Sequence, residues 1–191
     1  MTQKGDFEYQ FDWLVSIEEA AKRASPNRFS MATSALSEDK CFPHRCTQEA
    51  NLMSERRVDG FFYGLFMDAA VLGNSGVIPT DPRPAYVDDF ALRIGLRATL
   101  IPSAGARAYG MLFALTHSEL ERLYNAPGLD QYRPEAVLTR LLGEGSLPAL
   151  CYNLRVEPRN DERNPDYALR LQRVLSDLKF PLEYVDSVAT C

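Results

Sequence analysis

The sequence has few of the side chains that usually form metal sites or disulfide frameworks. Its 191 residues include two histidines and four cysteines, Cys41, Cys46, Cys151 and Cys191. Their irregular spacing favours reduced thiols over a disulfide framework. The segment from Cys41 to Cys46 adds His44 to two thiols, but a structural zinc site needs a fourth ligand, and none lies nearby. We therefore expect no metal and no disulfide.

Long apolar runs and basic runs are also missing. No stretch approaches the roughly 20 apolar residues of a membrane span, and residues 1–10 carry acids and amides where a secretory signal has an apolar core. The net charge is -5, without a lysine or arginine run, and Gly73-Asn74-Ser75-Gly76 lacks the lysine of a phosphate-binding loop. We expect a cytoplasmic protein with neither a membrane nor a nucleic-acid partner.

The chain changes character near residue 57. Its overall composition, 46% hydrophobic and 25% charged, is ordinary for a globular protein. Residues 1–57 are polar and predict an N-terminal extension with one helix over Asp12–Ala24, whereas residues 58–191 predict a single globular domain. Met53 lies just before the change, so we hypothesise that translation starts there, which the intact mass of the native protein would test.

The first half of the predicted domain is rich in strand patterns. Aromatic residues favour a strand over Val58–Gly64, and a short helical segment follows over Leu65–Leu72. Glycines and prolines in residues 73–84 predict a loop. Two further stretches, Tyr86–Ile101 and Ala106–Leu115, are typical of strands.

The second half alternates helices and strands. Thr116-His117-Ser118-Glu119 has the form of a capping box and begins a helix that ends in residues 125–128. Strands are predicted over Arg133–Leu142 and Leu147–Leu154, and Asn164-Pro165 begins a last long helix. Runs of strands interrupted by short helices predict an α+β fold.

Four segments resemble, in the same order, motifs of the γ-glutamylcyclotransferase-like family, and together they cover residues 60–188. The first, Phe62-Tyr63-Gly64-Leu65-Phe66, is similar to the family's Tyr-Gly-Ser-x-Leu turn. The others are the strand pair Ala98–Pro102 and Ala108–Leu112, the segment Leu120–Tyr132, and the set Ala149–Tyr152, Pro165-x-Tyr167 and Phe180–Tyr184.

The resemblance implies a small mixed β-barrel with flanking helices and a pocket at one end. Family members convert γ-glutamyl amines or peptides to 5-oxoproline and a free amine, without a metal or organic cofactor. Backbone N–H groups of the Tyr-Gly turn hold the α-carboxylate, and a glutamate moves the proton. For this chain the resemblance implies a small amino-acid or γ-glutamyl-type ligand at Tyr63, Gly64, Leu65 and Phe66, with Tyr132 facing the pocket.

The family's glutamate is absent from its expected position. Gly128 matches the glycine of the Glu-Gly pair, so Pro127, which has no titratable group, replaces the base. Asp130 and Glu135 are the candidate substitutes. Asp130 is more simply a solvated turn residue, and the odd separation of Glu135 from Tyr132 puts the two on opposite strand faces.

Three functions remain open at this point. The chain is a small-ligand protein with divergent or lost chemistry, a non-catalytic interaction module on the same scaffold, or a cyclotransferase whose base has moved to Asp130 or Glu135. The sequence leaves the oligomeric state open.

Two further features have alternative interpretations. Arg93 and Arg97 have even spacing, so both can point inward and bind a carboxylate, although a solvated outer face is the simpler interpretation for these residues and for Arg107. Cys151 would act as a nucleophile only with His44 or His117 close by, and is more simply a buried strand residue.

Overall fold

A computed structural model describes residues 56–188 of the protein. The predicted helix over Asp12–Ala24, Met53 and the Cys41–Cys46 segment lie outside the described residues. The strands are β1 (Arg57–Phe62), β2 (Thr80–Ile94), β3 (Ala98–Thr116), β4 (Tyr132–Leu141) and β5 (Ser146–Leu154). The helices are α1 (Ala69–Asn74), α2 (His117–Tyr124), α3 (Pro165–Asp177) and α4 (Leu182–Val188), with a 3-10 helix at Leu65–Met67.

The five strands form a closed barrel in the order β1-β3-β2-β4-β5. Neighbouring strands are antiparallel except at the closure, where β1 pairs with β5 in parallel through Gly60 and Leu150. The barrel is therefore mixed and carries helices around it. The predicted α+β fold with a small mixed barrel is confirmed.

The second half of strand β1 is buried because its aromatic residues pack against β3. Phe61 and Phe62 are almost fully buried, and the Phe62 ring lies 5.8 Å from that of Phe113. A Cβ added to Gly110 would collide with the Phe62 carbonyl oxygen and lie 2.7 Å from the Phe61 ring. Glycine at position 110 thus lets β3 lie close enough to β1 for this packing.

Both predicted helix caps are present. The Thr116 hydroxyl accepts from the Glu119 N–H at 3.1 Å, and the Glu119 carboxylate accepts from the Thr116 N–H at 2.8 Å. At α3, Asn164 accepts from the Tyr167 N–H at 3.1 Å, with Pro165 in the first turn. These caps fix the helices that carry Tyr124 and Tyr167.

No helix among residues 56–188 is long and apolar enough to cross a membrane.

The region predicted as a loop over residues 73–84 is largely structured, and that prediction was wrong at both ends. Gly73 and Asn74 complete α1, while Pro82 and Pro84 lie inside β2. Proline has no N–H to donate to the ladder of a sheet. Strands therefore tolerate it at places such as bulges, where the ladder is interrupted. The pairing of β2 with β3 indeed shifts register between Thr80 and Arg83.

The two stretches predicted as strands over residues 86–115 form one long, bent hairpin. It turns at residues 95–97, where the Gly95 N–H donates to the Arg97 carbonyl at 3.0 Å. The bend comes from Asp89 and Gly105, which both have positive φ. The Asp89 carboxylate accepts from the Gly105 N–H at 2.8 Å. The pairing of β2 with β3 shifts register here, between Asp88 and Phe90, and a bulge of this kind bends a strand.

Candidate functional site

The Tyr63-Gly64 turn joins β1 to the 3-10 helix at one end of the barrel. Tyr63 is buried, and its hydroxyl donates to the Tyr152 carbonyl at 2.6 Å. The Leu65 N–H donates to the Tyr167 hydroxyl at 3.3 Å. A Cβ on Gly64 would lie 2.5 Å from that hydroxyl oxygen. The turn therefore needs glycine because Tyr167 approaches so closely, and its Leu65 N–H is capped by a side chain.

A cluster of tyrosines surrounds this turn. The tyrosine cluster comprises Tyr63, Tyr124, Tyr132, Tyr152 and Tyr167. Tyr124 stacks on Tyr152 with ring centroids 3.6 Å apart and planes 5° from parallel. Its centroid lies 5.9 Å from that of Tyr132 and 6.4 Å from that of Phe66. The Tyr132 hydroxyl donates to the Ala98 carbonyl at 2.7 Å, which ties the cluster to the hairpin tip.

Burial raises the pKa of the cluster's hydroxyls. It raises the pKa of Tyr167 to about 12 and those of Tyr63 and Tyr124 well above their usual value, with neighbouring tyrosines adding to the effect in the latter two. The pKa of Tyr132 is raised by burial and by Tyr167, while the charge of Arg97 opposes the shift. The cluster is therefore neutral near pH 7, and its hydroxyls act as hydrogen-bonding groups rather than bases.

Pro127 and Asp130 lie in the connection between α2 and β4. Pro127 is exposed, and Gly128 beside it has a φ of 86°. Asp130 is also exposed, and its carbonyl accepts from Arg133 at 2.7 Å. Asp130 lines a surface depression of about 280 Å³ whose lining includes no member of the tyrosine cluster.

Glu135 lies opposite Cys151 in the pairing of β4 with β5. Its carboxylate accepts from the side-chain amide of the buried Asn153 at 2.7 Å, and the same amide lies 3.6 Å from the Cys151 sulfur. Burial raises the pKa of the Cys151 thiol to about 12, and the charge of Glu135 adds to the shift. Cys151 is thus a protonated, unreactive thiol.

The three barrel arginines have different surroundings. Arg93 donates to the Arg159 carbonyl at 3.1 Å and to the Asn160 side chain at 3.3 Å, which ties it to a surface loop. Arg107 pairs with Asp88 at 3.0 Å. Arg97 is half-buried at the hairpin tip, and its Nη1 is shielded from solvent without a hydrogen-bond partner among residues 56–188.

A separate groove of about 390 Å³ lies between the 3-10 helix, β3 and α3. Its lining is largely apolar and includes Met67, Met111, Phe113 and Leu178. The Asp68 carboxylate at its edge accepts from the Ala70 N–H at 2.8 Å and caps α1. No group of three or more metal-binding side chains occurs within the described part of the chain.

Sequence reasoning missed three residues of the site. Tyr124 and Tyr152 come from α2 and β5, and only the closed barrel brings their rings together. Tyr167 belongs to the Pro165-x-Tyr167 segment that resembles a family motif, and this segment was the signal in the sequence that could have identified it. Its contact with Leu65 spans 102 positions in sequence, so no local pattern reveals it.

Comparison with known proteins shows relatives at the level of structure. No family model and no curated protein matches the sequence. YkqA from Bacillus subtilis is similar with a TM-score of 0.61 and 22% identity, over 73% of this chain and 55% of that one. A gamma-glutamyl cyclotransferase is similar with a TM-score of 0.60 and 18% identity, over 69% of this chain and 86% of that one. An uncharacterized protein from Homo sapiens is similar with a TM-score of 0.59 and 19% identity, over 70% of this chain and 87% of that one.

The fold is therefore that of the gamma-glutamyl cyclotransferase-like proteins. The resemblance seen in the four sequence motifs is confirmed at this level. The chain spans about half the length of YkqA. At identities of 18–22% the likeness defines the fold alone, since one fold hosts many functions.

Proposed function

We propose that the chain binds a small amino-acid or γ-glutamyl-type ligand at Tyr63, Gly64, Leu65 and Phe66, with Tyr132 beside it. The observation that carries the proposal is the 3.3 Å contact from the Leu65 N–H to the Tyr167 hydroxyl. A carboxylate is a stronger acceptor than a neutral hydroxyl. A ligand carboxylate can therefore take the place of the Tyr167 hydroxyl at this amide.

We propose further that the family's proton transfer is divergent or lost. Forming 5-oxoproline requires the substrate's ammonium to lose a proton before its nitrogen attacks the γ-carbonyl carbon, and the leaving amine must then gain one. Pro127 has no group that can do this, and the neutral tyrosines do not accept a proton. Loss of a general acid–base lowers rates by about 10²–10⁴.

A second candidate is a cyclotransferase with a relocated base. Glu135 favours this function over Asp130, because its carboxylate is held by the buried Asn153 whereas Asp130 lines a separate surface depression. A non-catalytic interaction module is the remaining alternative. It is favoured by the way that aromatic rings, including Phe66 against Tyr124, crowd the turn.

The test combines calorimetric binding with 5-oxoproline release. The full chain is mixed with γ-glutamyl-alanine, γ-glutamyl-ε-lysine and glutathione. Leu65→Pro removes the N–H, and its first-turn position tolerates proline. Leu65→Ala is the matched control that keeps the N–H. We expect binding to the wild type and Leu65→Ala, at least tenfold weaker binding to Leu65→Pro, and no release above a heat-killed control.

The other outcomes identify the alternatives. Release that Glu135→Gln or Asp130→Asn abolishes would show a relocated base. Neither binding nor release, from a protein with a folded circular dichroism spectrum, would reject the ligand site and leave the interaction module.

A further inference from the structure

Arg97 is a permanently charged side chain with an unused donor. Its Nη1 is shielded from solvent and has no hydrogen-bond partner among residues 56–188. Buried donors are nearly always paired, and a guanidinium cannot lose its charge to avoid the cost. By contrast, Arg93 on the same hairpin already has two acceptors in the loop at Arg159 and Asn160. The environment of Arg97 is thus suited to an anion that the described chain does not supply.

Arg97 precedes, in the chain, a residue that contacts the tyrosine cluster around the turn. The carbonyl of its neighbour Ala98 accepts from the Tyr132 hydroxyl at 2.7 Å. The Tyr132 ring lies 5.9 Å from that of Tyr124, which stacks on Tyr152. The Tyr152 carbonyl in turn accepts from Tyr63, next to Gly64. Arg97 and the turn therefore border one continuous aromatic cluster, with Tyr132 on the Arg97 side.

We propose that Arg97 binds a second carboxylate of the ligand, on its amine side. This inference rests on the proposed function, in which the first carboxylate occupies the Leu65 N–H. The ligand class is then a γ-glutamyl amino acid with two carboxylates, rather than a γ-glutamyl alkylamine. A guanidinium suits this role because its paired N–H groups match the two oxygens of a carboxylate.

The experiment compares two ligands that differ in that carboxylate. Calorimetry measures γ-glutamyl-alanine and γ-glutamyl-ethylamide on the full-length wild type, Arg97→Gln, Arg97→Lys and Arg93→Gln. We expect the wild type to prefer γ-glutamyl-alanine by about 10- to 100-fold, the range for a charge-assisted bond. Arg97→Gln removes the preference by weakening γ-glutamyl-alanine alone. Arg97→Lys keeps part of it, and Arg93→Gln, with the same loss of charge, keeps all of it.

Each contrary outcome has a separate meaning. Equal binding of the two ligands by the wild type, or a preference that survives Arg97→Gln, overturns the role of Arg97 and leaves the proposed function standing. If Arg93→Gln also removes the preference, the cause is a general effect of charge. That outcome overturns the role of Arg97 as well. If neither ligand binds the folded wild type, the proposed function and this inference fall together.

Discussion

At the scale of single residues, Tyr167 connects the last long helix to the turn. Its N–H is bound by Asn164 at the start of α3, and its hydroxyl accepts from the Leu65 N–H. Tyr167→Phe keeps the ring and removes only the acceptor. We expect the free energy of unfolding to fall by about 1 kcal/mol in urea titrations, since a half-buried N–H loses its partner. We also expect γ-glutamyl-alanine to bind several-fold more tightly, because the ligand no longer displaces a hydroxyl. Unchanged stability and affinity would contradict this assignment.

Gly64 provides a second test of the same contact. A Cβ at this position would lie 2.5 Å from the Tyr167 hydroxyl oxygen, so we expect Gly64→Ala to cost about 1–3 kcal/mol of unfolding free energy. The cost should shrink when Gly64→Ala is combined with Tyr167→Phe, because the colliding atom is gone. Gly73→Ala is the matched control. It has open space around its Cβ and lies in α1, so alanine should be neutral or stabilising there. Additive costs in the double variant would refute the collision.

Individual site residues could be predicted only where chain neighbours define them. Tyr63 and Gly64 are adjacent, so the turn was visible in the sequence. Arg93 and Arg97 share one strand-like spacing, and nothing local distinguishes them. Their difference depends on whether the 155–164 loop supplies acceptors, as it does for Arg93 alone.

At the scale of elements, the bend of the β2–β3 hairpin depends on Asp89. This residue has a φ of 61°, and its carboxylate accepts from the Gly105 N–H at 2.8 Å. Asp89→Ala loses both the acceptor and the tolerance for this conformation, so we expect it to cost about 1–2 kcal/mol of unfolding free energy. Asp89→Asn keeps both and should be nearly neutral. Urea titrations that place the two variants at the same stability would contradict this account.

Helix boundaries could be predicted better than strand connections, for a physical reason. A cap is a bond between residues three apart, as between Thr116 and Glu119, so its signal is local. The hairpin bend instead joins residues 16 positions apart, which a local pattern does not show. Pro82 was misleading because it lies at a bulge, where a strand tolerates proline.

At the scale of the whole molecule, the order of four motifs predicted the barrel, but the site is assembled from distant parts. The tyrosine cluster takes one residue each from β4, β5, α2 and α3 and one from the turn after β1. Barrel closure is what brings them together, through the parallel pairing of β1 with β5. The order of the motifs predicts which helices and strands occur, whereas the contacts between the tyrosine rings depend on closure of the barrel.

The same assembly predicts unfolding at high pH. Burial raises the pKa of Cys151 and Tyr167 to about 12 and raises those of the other cluster tyrosines. In the unfolded chain the thiol ionises near 8.5 and the phenols near 10. A raised pKa in the folded state means that this stability is fully present below the unfolded pKa and is lost as the pH rises toward the folded one.

We therefore expect the free energy of unfolding to fall between about pH 8.5 and 12, by up to about 1.4 kcal/mol per pH unit for each group involved. The measurement is a series of urea titrations across this range, combined with the tyrosinate absorbance of the folded protein. Tyr167→Phe removes one of these groups and should make the decline shallower. A native protein whose tyrosines all ionise near pH 10, before the fold is lost, would show that the cluster is open to water, because burial is the largest cause of the raised pKa values.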